Sequence, residues 1–403
     1  MHFVTYDDQR LRGQLGGGRF LVTYRLAGGY QAAKALAGAI CREQTVEFPL
    51  EAIPPGAILD GVVGRLEDLR PDGPDSCLAR VSYAEEIAAG EFTQLLNVLF
   101  GNISIMPGIR VEEVRLTPAL LAMVKGPRFG IEGLRARIGV PRRPPIFTAL
   151  KPMGLSARDL ADLAGAFVEG GVDIIKDDHG LTDQVFAPFD ERVRRCADAV
   201  AEANARTGRR ALYVPNITGP AEQLRERAAR AKQWGAGGVM VAPGLTGLDA
   251  MRALAEDDGL GLPVFSHPAF IGSYAVNPQG LSFPVLFGLL MRLAGADAVI
   301  FPNYGGRFSL SREECLSIAR AGRQPLGGLR TVFPSPAGGM QLENVADIVA
   351  SYGPDVLVLI GGGLFTCGDD VRRNCGRFAA AVEEAFAAGE RKNAAPEGAA
   401  AGI

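Results

Sequence analysis

The chain has 403 residues, 47% hydrophobic and 22% charged, with 42 Lys and Arg against 45 Asp and Glu for a formal net charge of -3. That balance gives no basic footprint for nucleic acid, and no run of about 18 apolar residues is present to cross a membrane. Six cysteines without C-x-x-C spacing read as reduced thiols, and the first residues form no basic, apolar leader, so the protein reads as cytoplasmic.

In chain order, residues 1–125 are expected to form a smaller α+β domain of ferredoxin-like type, with strands at 21–26, 45–48, 57–66 and 79–82 and helices near 31–40 and 92–100. From about residue 145 one pattern repeats: a short β-branched run, a turn cluster, then ten or so residues of helical periodicity. The strands of these units are expected at 146–151, 172–178, 211–216, 238–242, 263–267, 298–301, 331–333 and 356–360. Helical stretches fall at 157–169, 190–206, 222–234, 281–293, 342–351 and 369–388. Eight successive βα units make this an α/β protein whose residues 126–390 suit a closed (β/α)8 TIM barrel. An open doubly wound sheet is the alternative, but Lys151-Pro152-Met153-Gly154 after the first strand is not the glycine-rich fingerprint such a sheet carries. The Ala/Gly-rich residues 391–403 read as a disordered tail.

In a barrel the chemistry belongs at the C-terminal ends of the strands. Two of the three histidines, His179 and His267, fall at the ends of strands two and five, and Lys151 and Lys176 belong to strands one and two. Strand alternation places Lys176 and Asp178 on one face and Asp177 on the other, with His179 where the strand gives way to a loop. Oxygen donors suit Mg²⁺, and an imidazole moves the preference towards a transition metal. An ammonium cannot ligate a cation, but a neutral lysine amine that takes up CO2 becomes an anionic carbamate that can. The cluster alone is equally compatible with a Lys176–Asp178 ion pair in the barrel mouth. Gly338-Gly339 after strand seven and Gly361-Gly362-Gly363 after strand eight fall where barrels commonly bind phosphate on backbone N–H groups.

These residues in this order resemble the large subunit of ribulose-bisphosphate carboxylase (RuBisCO), and more closely its non-carboxylating relatives, the RuBisCO-like proteins. The likeness spans about residues 20–390 and rests on residues 150–156, 171–179, Phe265-Ser266-His267, Gly338-Gly339, Gly361-Gly362-Gly363 and Phe100-Gly101-Asn102. It implies Mg²⁺ held by a carbamylated Lys176 and by Asp178, with His179 where carboxylating enzymes carry a glutamate ligand. It further implies that Lys151 assists proton transfer, that His267 faces the substrate, and that Gly338, Gly339, Gly361 and Gly362 hold a phosphate. A head-to-tail homodimer, or an oligomer of such dimers, follows as well, with Asn102 and Glu43 reaching the partner's barrel mouth.

The departures narrow the function. Pro268 stands where carboxylating enzymes grip a second phosphate with arginine, Ala337 replaces a phosphate-binding serine, and no histidine lies near residues 300–302. Loop six lacks the family's lysine, with Arg307 near its place. One phosphate site and no carboxylation are therefore expected. The best-fitting activity is metal-dependent enolisation of a monophosphorylated ketose, as in a 5-methylthioribulose 1-phosphate isomerase of methionine salvage. Alternatives are decarboxylation or hydrolysis of a 3-oxo sugar-acid phosphate such as 3-oxo-isoapionate 4-phosphate, a diketo-methylthiopentyl phosphate enolase, and a metal-free binding protein.

Overall fold

The structure, a computed structural model, describes residues 5–368 and 370–394, which divide into two compact units. The first comprises the chain up to Lys125 together with Ile271–Leu286. Its strands are β1 (Arg19–Ala27), β2 (Arg65–Pro71), β3 (Ser76–Ala84) and β4 (Ile109–Arg115), with β1 antiparallel to both β3 and β4. Alternation along β1 buries Phe20, Val22, Tyr24 and Leu26 and leaves their neighbours partly exposed, the mark of a sheet with one covered face. Two expected strands are corrected here. Residues 45–47 wind back as a turn, because the N–H groups of Thr45, Val46 and Glu47 all donate to Arg42 O and close the end of the helix Tyr30–Glu43. Residues 58–62 form a short π-helical turn, and the strand begins only at Arg65.

The second unit comprises Gly126–Phe270 and the chain from Phe287 onward. Its first five strands are β5 (Ile146–Leu150), β6 (Ile174–Asp177), β7 (Leu212–Val214), β8 (Val239–Val241) and β9 (Val264–Ser266). The chain then contributes β10 (Gly280–Leu281) to the first unit's sheet, parallel to β4, and returns for β11 (Ala298–Pro302), β12 (Phe333–Ala337) and β13 (Val358–Ile360). All barrel pairs are parallel, β13 pairs with β5, and a bridge between Asn216 and Met240 joins the ends of β7 and β8, so the ring closes. The fold is thus an eight-stranded parallel barrel accompanied by a mixed, mainly antiparallel sheet.

Alternate residues of the barrel strands point inward and form its core: Phe147, Ile174, Val214, Met240, Phe265, Ile300, Phe333 and Leu359. Ile131, Leu134 and Ile138 of the helix Gly130–Ile138 join that cluster and plug the end formed by the strands' N-termini. Strand seven lies later than expected, at Phe333–Ala337, and contains Pro334 and Pro336. Phe333 donates to Asp297 O on the β11 side, whereas Pro334 faces β13, where its carbonyl accepts from Leu357 and it has no N–H to give. The β12–β13 ladder accordingly narrows to the pair Ala337–Leu359, while β11–β12 keeps five pairs. The final helix runs Val371–Ala394, taking in residues 391–394, and the rest of the expected tail, 395–403, lies outside the described residues. Among the described residues no helix is long and apolar enough to cross a membrane.

Candidate active site

Because inward residues on a parallel strand recur every second position, the ends of β5, β6, β9, β12 and β13 converge on one cavity of about 730 Å³. Lys151, Lys176, Asp178, His179 and His267 line it together with Gly338, Gly339, Gly361 and Gly362. Asn102 stands in the first unit, where its amide donates to Glu47 Oε1 at 3.1 Å, and Glu43 accepts from Arg42.

Asp178 is the hub of the polar cluster. Its Oδ1 lies 2.6 Å from Lys151 Nζ and 3.3 Å from His179 Nδ1. Burial would raise its pKa, but hydrogen bonds from His179 and Lys151 and the charge on Lys176 hold it well below the usual carboxylate range. Lys176 is 3% exposed and its Nζ donates to Asp177 O at 3.0 Å. Desolvation, reinforced by the nearby charge of Lys151, lowers its pKa to about 8 despite Asp178. Its amine is therefore neutral in an appreciable fraction of molecules near neutral pH, as nucleophilic attack on CO2 requires. His267 and His179 stack with ring centroids 4.6 Å apart and planes 8° from parallel. Desolvation, with the charge of Lys176 adding to it, lowers the pKa of His267 to about 2. Its Nδ1 accepts from Ala269 N–H at 3.2 Å, which leaves Nε2 as the protonated, donating nitrogen.

A network on the outer face of β6, absent from the sequence reading beyond the direction of Asp177, supports this cluster. Asp177 is fully buried and accepts from Arg192 Nε (3.1 Å), Tyr213 OH (2.8 Å) and Asn216 N–H (3.0 Å). Asn216 in turn donates from Nδ2 to His179 O and Leu181 O, each at 2.9 Å, and so fixes the loop that carries His179. The available signal was the second aspartate of Lys176-Asp177-Asp178: a carboxylate aimed away from the cavity needs buried donors of its own.

The cavity's glycines differ in what they allow. Gly338 and Gly339 have φ of +91° and +73°, and a Cβ on Gly339 would stand 2.6 Å from Gly306 Cα, so only glycine fits there. Gly361 and Gly362 have nothing within 4 Å of the Cβ position, so their missing side chains leave room for a ligand against the backbone. Ile300, Ala337 and Leu359 supply apolar surface to the cavity.

Among the described residues no group of three or more His, Cys, Asp and Glu side chains is placed to hold a metal ion. Asp178 and His179 would supply two donors to such an ion, and the remaining candidate is Lys176, whose buried, partly neutral amine fits conversion to a carbamate.

Residues 130–394 match the family model of the ribulose bisphosphate carboxylase large chain, catalytic domain. The crystal structure of a Rubisco-like protein from Rhodopseudomonas palustris superposes with a TM-score of 0.83 at 41% identity, covering 91% of this chain and 98% of that one. A 5-methylthioribulose-1-phosphate isomerase from Rhodospirillum rubrum is 41% identical over 372 residues, 92% of this chain and 98% of its own length. A 2,3-diketo-5-methylthiopentyl-1-phosphate enolase from Geobacillus thermodenitrificans is 34% identical over 342 residues, 81% of this chain and 82% of the enolase. The chain belongs to the RuBisCO large-chain family, as a RuBisCO-like protein.

Proposed function

We propose that this protein is a non-carboxylating RuBisCO-like enzyme that enolises a monophosphorylated ketose, with 5-methylthioribulose 1-phosphate isomerisation in methionine salvage the best-fitting task. One observation carries the reading: a single cavity is lined both by Lys151, Lys176, Asp178, His179 and His267 and by the glycines of the seventh and eighth loops. Backbone N–H groups at Gly338, Gly339, Gly361 and Gly362 hold one phosphate, and this places the ketose carbon skeleton against the polar side chains of the same cavity. Lys176 as its carbamate, Asp178 and His179 would hold Mg²⁺, which supplies polarisation of the substrate carbonyl. Lys151, ion-paired with Asp178, assists transfer of the proton α to that carbonyl, the base being the Lys176 carbamate or Lys151 in its neutral form, while His267 Nε2–H donates to a substrate oxygen. Ala337 and Ile300 give apolar surface where carboxylating enzymes place phosphate-binding side chains, which argues against a second phosphate there and suits an uncharged thioether substituent. The isomerase similarity extends over more of the chain, at higher identity, than that to the enolase, which favours the isomerase reading. A homodimer that brings Asn102 to the partner's cavity completes the proposal.

Incubation with monophosphorylated ketoses in deuterated water tests it. Exchange of the α-proton is expected, and should be lost in Lys176→Ala, with no labelled CO2 fixed into ribulose 1,5-bisphosphate. Absence of exchange across the ketose panel would overturn the enolisation reading, and the product's proton spectrum separates isomerase from enolase.

A further inference from the structure

Loop six, between β11 and the helix Arg312–Arg323, is fastened at its root and at its tip to one neighbouring element pair. At the root Asn303 is buried, its N–H donating to Ala337 O at 2.9 Å and its Oδ1 accepting from Tyr352 OH at 2.8 Å. Next to it Tyr304 OH donates to Asp347 Oδ2 at 2.7 Å and lies 3.0 Å from Ser351 Oγ. The ring of Tyr304 stacks on that of Tyr352 with centroids 6.2 Å apart, and Arg312 donates to the same Ser351 Oγ at 2.7 Å. Asp347, Ser351 and Tyr352 all belong to the helix Val345–Tyr352, which follows β12 and its glycine pair. At the tip a Cβ on Gly306 would meet Gly338 O at 2.9 Å, so the two loops touch backbone to backbone. Gly305, Gly306 and Arg307 line the cavity beside Gly338 and Gly339.

We propose that Tyr304 is a positioning residue: through Asp347 and Ser351 it fixes loop six against the β12 loop, so that Arg307 and the Gly338–Gly339 backbone meet an anionic group of the substrate as one preformed surface. The choice of a phosphate as that group rests on the proposed function; the anchoring of the loop does not. Orientation achieved before binding spares the ligand the cost of ordering a loop. Tyr304→Phe keeps the ring and its stack on Tyr352 while removing the hydroxyl, and Asp347→Ala removes the acceptor.

Trypsin cleavage of the Arg307–Phe308 bond, followed by mass spectrometry, reads the order of the loop directly. We expect cleavage to quicken by about fivefold or more in either variant, with the thermal midpoint unchanged and the double variant no faster than the faster single one. Inorganic phosphate should slow this cleavage in the wild type and protect the variants less. With a turned-over ketose phosphate, KM should rise about tenfold with kcat nearly kept. Wild-type cleavage rates at Arg307 in both single variants would overturn the proposal. Faster cleavage in the variants combined with no α-proton exchange by the wild type would uphold the anchoring and sink the enolisation reading instead.

Discussion

Lys176 is buried with its amine pKa lowered to about 8, and it shares the cavity with a carboxylate held strongly acidic. A lysine in that position serves the fold poorly: an ammonium there costs desolvation and, among the described residues, pairs with no side chain at hydrogen-bond distance, its Nζ donating to Asp177 O. The same features suit carbamate formation, which replaces the misplaced cation by an anionic oxygen donor. Mg²⁺ titration by calorimetry should therefore tighten when CO2 is supplied, and Lys176→Ala should abolish that dependence and weaken binding by at least about tenfold. His179→Glu should strengthen binding, because a carboxylate adds a negative charge where an imidazole offers a neutral nitrogen. Equal Mg²⁺ affinity with and without CO2 would remove the carbamate from the account. Residue-scale reading served the inward faces well, since scarce Lys and His at strand ends advertise themselves. It could not reach Tyr304 or Asp347, because their meeting depends on how a loop lies across a helix some 40 residues later, a distance no periodicity encodes.

Elements were legible where a strand alternates or a helix carries a clear stripe, and illegible where local chemistry overrode propensity. The β-branched pair Thr45-Val46 looks like a strand, yet three N–H groups converge on Arg42 O to end a helix. Pro334 and Pro336 hid strand seven, because proline is tolerated in a ladder only where its missing donor faces a weakly paired neighbour. The expected helix over 281–293 opens instead with the two-residue β10, continues as a π-helix over Pro284–Leu290 and ends in one α turn. At this scale Asp177 is the test case, since it ties β6 to β7 and to the helix Phe189–Thr207 through Asn216, Tyr213 and Arg192. Both side chains of the Asp177–Arg192 pair are fully buried, so removing the carboxylate strands a guanidinium without its counter-charge. Asp177→Ala should lose roughly 3–5 kcal/mol in urea unfolding, whereas a surface ion pair such as Arg195–Glu191 should lose under about 1 kcal/mol. A loss of the surface-pair size at Asp177 would show that the network does not hold β6 in place.

For the barrel as a whole, the end opposite the cavity is secured by one buried carboxylate, Asp297, at the start of β11. Its Oδ1 accepts from Phe129 and Gly130 N–H at 2.6 and 2.7 Å, and its Oδ2 from Val264 N–H at 3.0 Å. Its backbone donates to Val264 O and accepts from Phe333, so the plugging helix and strands β9, β11 and β12 all meet there. Burial raises the pKa of Asp297 from 3.8 to about 6, against the three N–H donors that pull it down. An acid with a raised folded-state pKa holds its proton longer in the native than in the unfolded chain. Its stabilising contribution is therefore fully present below pH 3.8 and is lost as the pH rises through about 6. Two or so pKa units correspond to roughly 3 kcal/mol. Asp297→Asn removes the titration, although its amide nitrogen cannot accept from Val264 N–H and the variant should be less stable at every pH. The wild-type stability advantage over Asp297→Asn, read from urea midpoints, should shrink by roughly 3 kcal/mol between about pH 4 and 7 and level off above that. An advantage that grows with pH over the same interval would mean that the N–H donors outweigh burial, and that Asp297 is held as an anion throughout.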